Sequence, residues 1–261
     1  MADNIKYRFI QNVGDYFPSG YFGEDFLEKV RKCADVSTDE MKALCSPYAQ
    51  LQRDYNEFKN FIINQNPRVK DAIKKTHDFH TRLLRILGYE TDNAYTEPFV
   101  VNAEAEPIEM IPVRHILRRG SQVKMLIMEM QHLIPVGEQE PAGLFEQQYE
   151  SKPDKNTRQQ RYYAGQWADV IPSQYLNKDK YHFSPAIINK AVTQIFLMPE
   201  ERRPHFILML AGNMVFLFDK DKWARGSYLQ FSIDDLYTQG QLKSSRNHYA
   251  LFQLLVNKEA L

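Results

Sequence analysis

Two carboxylates and one amide form the arrangement in this sequence with the clearest potential for hydrolytic chemistry. Glu109 lies inside the short apolar stretch Ile108–Val113. Glu129 lies near the end of another, Leu126-Ile127-Met128-Glu129-Met130-Gln131. Acids on two strands can share Mg²⁺, a hard cation that prefers carboxylate oxygen and can activate water beside a phosphate. A cation beside two such acids would support the attacking water and the charge that develops. Gln131 stands two residues beyond the second acid. A neutral amide supplies no cation, and loss of a comparable transition-state contact costs about 10²–10³ in rate. Glu109, Glu129 and Gln131 are therefore the candidate catalytic set, with Glu109 and Glu129 as Mg²⁺ ligands and cleavage expected to be degraded. Glu129 also reads more plainly, as the polar end of a strand.

Two basic groups could meet a nucleic acid. Arg114, Arg118, Arg119 and Lys124 flank the Arg118-Arg119-Gly120-Ser121 turn. Lys152, Lys155, Arg158, Arg161, Tyr162, Tyr163 and Trp167 interleave cations with rings. Flexible cations contact phosphates, and rings stack on exposed bases. The same groups also fit ordinary solvated surface. Thirty-three basic residues balance thirty-three acidic ones, so DNA binding would have to come from such local patches. His77 and His80 lie three apart on an expected helix without a paired Glu or third ligand, which favours a surface or boundary position over a metal site. Cys33 and Cys45 lack zinc-site spacing and suit a reducing cytoplasm. No phosphate loop, GxSxG, HExxH or GxGxxG occurs.

The elements that would position these residues follow from hydrophobic period. Phe22, Phe26, Leu27 and Val30 give a helix over Gly23–Lys32, and Ser37 with Glu40 forms a capping-box signature. Ser46–Pro47 restarts the helix. Met41, Leu44, Tyr48, Leu51, Tyr55, Phe58 and Ile62 step by three and four, as in a coiled-coil seam or a helix packed on its own domain. A further helix spans Pro67–Leu87 and stops at Gly88. Strands are expected at Phe99–Val101, Ile108–Val113 and Lys124–Met130, the middle one an edge because of Pro112. A polar loop covers 137–166. A helix capped by Ser184–Pro185 ends at Pro199. Phe206–Ala211 and Met214–Phe218, joined by Gly212–Asn213, form a hairpin whose unbroken apolar runs imply central strands. Leu229, Phe231 and Ile233 alternate in a half-exposed strand, Ser232 caps a short helix, and Asn247–Leu261 is helical.

The expected architecture is α/β (α+β): a helical arm over 1–66, then a mixed central sheet with flanking helices over 67–261. The longest apolar run is too short to span a bilayer, and no signal peptide precedes the first segment, so a soluble cytoplasmic protein without a membrane partner is expected. The helix that simply stops at Leu261 suggests a piece of something longer.

Helix, strand, Glu109, then a strand ending in Glu129-Met130-Gln131 resembles the frame of PD-(D/E)XK nucleases; the resemblance implies a lysine two residues beyond the second acid, supporting the attacking water, where this chain has Gln131. Asn12-Val13-Gly14-Asp15-Tyr16-Phe17 with Tyr21-Phe22, Gly88-Tyr89-Glu90 with Glu97-Pro98, Ile111-Pro112-Val113, Leu126–Glu129 and above all Pro204–Asp235 resemble the front of large single-chain bacterial type IIG restriction–modification DNA methyltransferases. The resemblance implies a restriction-endonuclease-like fold, phage defence, DNA as partner, and a downstream methyltransferase domain that uses S-adenosylmethionine. No NPPY-type motif occurs here, so methyl transfer is not assigned to these residues. Three readings follow: a DNA-engaging nuclease-like module, a non-catalytic domain docking the methyltransferase, or a helix-mediated homodimer scaffold.

Overall fold

The chain enters as a strand, β1 (Ile10–Val13), and then turns helical through α1 (Phe26–Cys33), α2 (Thr38–Leu44), α3 (Tyr48–Gln65) and α4 (Val69–Ile86). Strands β2 (Phe99–Asn102), β3 (Ile108–Ile111), β4 (His115–Arg119) and β5 (Gln122–Glu129) follow, then the short β6 (Tyr149–Glu150), β7 (Tyr162–Tyr163) and β8 (Tyr181–Phe183). Helix α5 (Ile188–Phe196) leads into β9 (Phe206–Ala211), β10 (Met214–Asp219) and α6 (Lys220–Trp223). Strand β11 (Tyr228–Ser232), α7 (Ile233–Thr238) and α8 (Ser245–Val256) close the chain. This computed structural model describes residues 7–18, 20–23, 25–65, 67–137, 143–147, 149–150, 162–163, 167–183, 187–238, 245–258 and 261. The Ser184–Pro185 cap and most of the expected 137–166 loop lie outside them.

The fold is α+β. Its main sheet has six strands in the order β1-β11-β10-β9-β5-β4, and a three-stranded sheet runs β2-β3-β8. Strands β5 and β9 are parallel, and the other neighbours in the main sheet are antiparallel. A parallel pair needs a crossover, and α5 lies on that connection. The hairpin β9–β10 occupies the middle of the sheet, as its apolar runs require: every residue of both strands except Phe206 and Met214 is buried.

Alternation divides the hairpin between two cores. Leu208, Leu210, Val215 and Leu217 pack with Leu51, Tyr55, Phe58, Ile62, Leu83, Leu84, Leu251 and Phe252 from the helices on one face. Ile207, Met209, Phe216 and Phe218 pack with Ile188, Val192, Ile195 and Trp167 on the other. At about 1.5–3 kcal/mol per fully buried large side chain, such burial is the main force closing both layers.

Several local expectations hold. Ser37 Oγ accepts from Glu40 N (3.2 Å) while Glu40 Oε2 accepts from Ser37 N (2.7 Å). Gly88, at φ +78°, ends α4 where Tyr89 N reaches back to Leu84 O (3.0 Å). Ser232 Oγ accepts from Asp235 N (3.1 Å) at the start of α7. Strands β4 and β5 pair across the Gly120 turn.

Others do not. Strand β3 is central in its small sheet, because Pro112 falls just past its end and costs no ladder bond. The first forty residues are not only helical: β1 pairs with β11, through Ile10↔Phe231 to Val13↔Tyr228. Phe26, Leu51, Tyr55, Phe58 and Ile62 of the 1–66 segment share a core with the sheet. Of the two readings of the three–four stripe, α3 follows the helix packed on its own domain: Leu51, Tyr55, Phe58 and Ile62 are all buried within the chain. Among the described residues no helix is long and apolar enough to cross a membrane.

Candidate functional site

The densest polar constellation is built around Glu129, the last residue of β5. Its side chain shares the α4-facing side of the sheet with Met125 and Ile127. On α4, His77, His80 and Thr81 fall on one face because residues three and four apart are neighbours on a helix. Arg114 arrives from the short link between β3 and β4. Its backbone is fixed on both sides: Arg114 N donates to Ile127 O (2.8 Å) and Arg114 O accepts from Tyr95 N (2.8 Å).

Both oxygens of Glu129 are occupied. Oε1 accepts from Arg114 Nη1 (2.7 Å) and lies 2.8 Å from His80 Nδ1; Oε2 accepts from Tyr95 OH (2.8 Å) and lies 2.9 Å from His77 Nδ1. The tautomer of His80 follows from its other nitrogen. Gly212 N–H, in the turn of the central hairpin, donates to His80 Nε2 (2.8 Å), so Nδ1 carries the proton and donates to Glu129. His77 Nδ1 is also 2.9 Å from Arg114 Nη1. One ring nitrogen cannot donate to the carboxylate and accept from the guanidinium together. The charge-assisted bond to the anion is the stronger, so His77 donates to Glu129. Arg114 Nη2 donates to Thr81 Oγ1 (2.7 Å), which donates to His77 O (2.9 Å).

Glu129 and Arg114 side chains are each 1% exposed, so this is a buried ion pair. Burial alone would raise the Glu129 carboxyl; the His77 and Arg114 charges and the bonds from His77 and His80 reverse the sign and hold it well below the usual carboxylate range. Burial pushes His80 down despite Glu129, consistent with the neutral tautomer that Gly212 selects. His115 and His132, close by, are both lowered to about 4, chiefly by burial. Tyr95 holds φ +59°, a left-handed conformation costly for an aromatic residue, of order 1–3 kcal/mol. Its hydroxyl on Glu129 and its N–H on Arg114 keep it there. Gly212 has no room for a side chain: a Cβ would stand 2.4 Å from His132 Cβ, at φ +62°.

An ionised carboxylate offers about four lone-pair positions. Four donors fill them here, and Arg114 neutralises the charge a cation would have met. Glu129 therefore does not fit as a Mg²⁺ ligand, contrary to the sequence expectation. Glu109 sits on β3 of the smaller sheet, half-buried, in register with Asn102 and His182, and is not among the partners of Glu129. Gln131 lies just beyond β5, where its backbone N–H donates to Gln147 Oε1 (3.2 Å). Glu109 and Glu129 stand on different sheets.

The expected DNA contacts divide as well. Arg114 is interior, committed to Glu129 and Thr81, and cannot reach a phosphate. Trp167 is 2% exposed and packs edge-on against Tyr149 (4.9 Å), so it is core rather than a stacking platform. Arg118 is exposed and paired with Glu97 (2.6 Å), Arg119 is exposed, and Lys124 Nζ lies 5.3 Å from the Phe206 ring. Lys152, Lys155, Arg158 and Arg161 lie outside the described residues, as do the side chains of Tyr162 and Tyr163.

Sequence reasoning placed His77 and His80 at the surface or boundary and did not single out Tyr95 or Thr81. The available signal was positional: His80 shares its helix face with Ile73, Thr76, Leu83 and Leu84, all buried. The chain matches no protein-family model, no curated protein and no solved structure.

Proposed function

We propose that this chain is a nuclease-like module that engages DNA without cleaving it, within a restriction–modification DNA methyltransferase. The observation that carries the non-cleaving half is Glu129, whose four lone-pair positions are filled by His77, His80, Tyr95 and Arg114. The succession α4, β4–β5, α5, β9, with the acid at the end of β5, supports the nuclease-like half. Sealing of the acid, the place of Glu109 on another sheet and glutamine at position 131 then all point away from turnover. The surface cations Arg119 and Lys124, on the β4–β5 hairpin, are the phosphate contacts. The methyltransferase, and its S-adenosylmethionine, belong to another part of the protein. The alternative of a helix-mediated dimer loses its main support, because the α3 stripe is covered inside the chain.

The test is plasmid DNA incubated with the purified protein and Mg²⁺ or Mn²⁺, alongside retention of duplex DNA over a salt series. Intact plasmid is expected, with retention that falls as salt rises and weakens further in Arg119→Ala/Lys124→Ala. Metal-dependent nicking abolished by Glu109→Ala would overturn the non-cleaving half. Absent or salt-independent retention would overturn the DNA half.

A further inference from the structure

The hairpin that holds the Glu129 cluster at its turn carries a different cluster at its open end. A two-residue turn fixes the register, pairing Ala211 with Met214 and, five steps on, Phe206 with Asp219. His205, just before β9, therefore comes beside Asp219, the last residue of β10, and Asp221 in the first turn of α6. His205 Nε2 stands 4.0 Å from Asp219 Oδ1 and 3.8 Å from Asp221 Oδ2, and the three ligand atoms lie within 4.8 Å of one another. Neither separation is a hydrogen bond. Lone-pair-bearing atoms of three side chains thus converge on a gap without bonding to one another.

We propose that His205, Asp219 and Asp221 form a binding site for a divalent transition-metal ion of the zinc class. Zinc bonds of about 2.0–2.2 Å to nitrogen and oxygen put tetrahedral ligands roughly 3.4 Å apart. Closure by about half an ångström between the imidazole and each carboxylate, and by up to about 1.4 Å between the carboxylates, is needed; Asp221, with 68% of its side chain exposed, is free to supply it. The other two are held in place by bonds outside the gap. His205 N donates to Lys124 O (2.9 Å), His205 O accepts from Lys220 N (3.0 Å), and its ring packs on Phe206 (4.4 Å). Asp219 Oδ1 accepts from Asp221 N (2.8 Å) and Oδ2 from Tyr16 OH (3.4 Å), leaving further lone pairs on both oxygens. Bonds of this kind orient metal ligands before the ion arrives.

The donor set selects the ion. One imidazole with two carboxylates suits zinc and its neighbours, whereas Mg²⁺ and Ca²⁺ favour oxygen alone. Lys124 and Lys220 lie near enough to oppose a cation, which places affinity below that of an all-acidic pocket. Three protein ligands leave the fourth position to solvent, the open arrangement of an exchangeable site rather than a closed structural one. The sequence pattern is His immediately before an apolar strand and Asp-x-Asp immediately after its hairpin partner. It lies within Pro204–Asp235.

The full chain, stripped with EDTA, is titrated with Co²⁺ followed by visible absorption, then with Zn²⁺ in competition. One equivalent is expected, displaced by Zn²⁺. His205→Ala and Asp221→Asn are each expected to weaken binding at least tenfold, while His182→Ala, on the smaller sheet, leaves it unchanged. Absence of stoichiometric binding, or binding unaltered in both His205→Ala and Asp221→Asn, would overturn the site. These readouts do not involve DNA, so this inference and the DNA-engagement reading fail independently.

Discussion

The two ends of the β9–β10 hairpin hold acids and histidines in opposite states. Six residues of strand, about 20 Å at ~3.3 Å per residue, separate them. At the turn end, Glu129 is 1% exposed and bonded by four donors from α4, the Tyr95 segment and the β3–β4 link. At the open end, Asp221 is 68% exposed and His205 34%, and no hydrogen bond joins imidazole to carboxylate. The difference lies in what surrounds each acid. An acid surrounded by converging elements must have every lone pair met, because an unpaired buried charge costs several kcal/mol. An acid at the rim has water for company and can leave lone pairs open to a ligand. Saturation marks the first cluster as architecture; openness marks the second as a site.

Charge neutralisation tests that contrast most directly. Glu129→Gln leaves Arg114 buried without its anion and is expected to cost about 3–5 kcal/mol of stability in urea unfolding. Arg114→Met is expected to cost a similar amount, and the two together less than the sum. The matching change at the open end, Asp221→Asn, should stay within about 0.5 kcal/mol. Equal losses at the two ends would erase the distinction.

Gly212 sharpens the picture of the turn end. Gly212→Ala places a Cβ against His132 at positive φ, with an expected loss of about 1–3 kcal/mol and a weakened Gly212–His80 bond. An unchanged midpoint would show that the turn is not clamped to α4.

Acid should act on the turn end in two windows. His80, His115 and His132 all have folded values below the ordinary 6.5, with His115 and His132 at about 4. The unfolded chain therefore binds protons first, and stability is expected to fall as pH drops from about 6.5 towards 4. Glu129, also lowered, contributes fully above about 4.5 and loses its share as pH falls further, towards its own depressed value. Urea midpoints at pH 7.5, 5.5 and 4.5 measure the first window, and His132→Asn should flatten it. A midpoint rising on acidification would contradict the buried neutral histidines.

Much of the scaffold was legible in the residues. Gly212–Asn213 between two apolar runs gave the hairpin, Ser37 with Glu40 gave a cap, and Gly88 gave the end of α4. Each depends on neighbours in sequence, where local geometry decides. Strand β1 was not legible, because four residues, Ile10–Val13, carry too little period to announce a partner more than two hundred residues away. Glu109 and Glu129 looked like a pair because each sits on a strand, and period says which face a residue takes but not which sheet the strand joins. His77 and His80 looked ligand-less for the same reason: their partner, Glu129, lies 52 and 49 positions on.

The sequence by itself determined the central hairpin and its register, the caps at Ser37 and Ser232 and the stop at Gly88, since these follow from steric and hydrogen-bonding rules acting over a few residues. That register already set His205 beside Asp219 and Asp221. Only the tertiary structure decided that Arg114 belongs to the interior and that Glu129 meets α4 rather than Glu109. It also decided that Trp167 is core. Those outcomes depend on which distant segments bury their apolar faces against the same sheet, and burial, not residue type, dictates whether an acid must be sealed or can be left open.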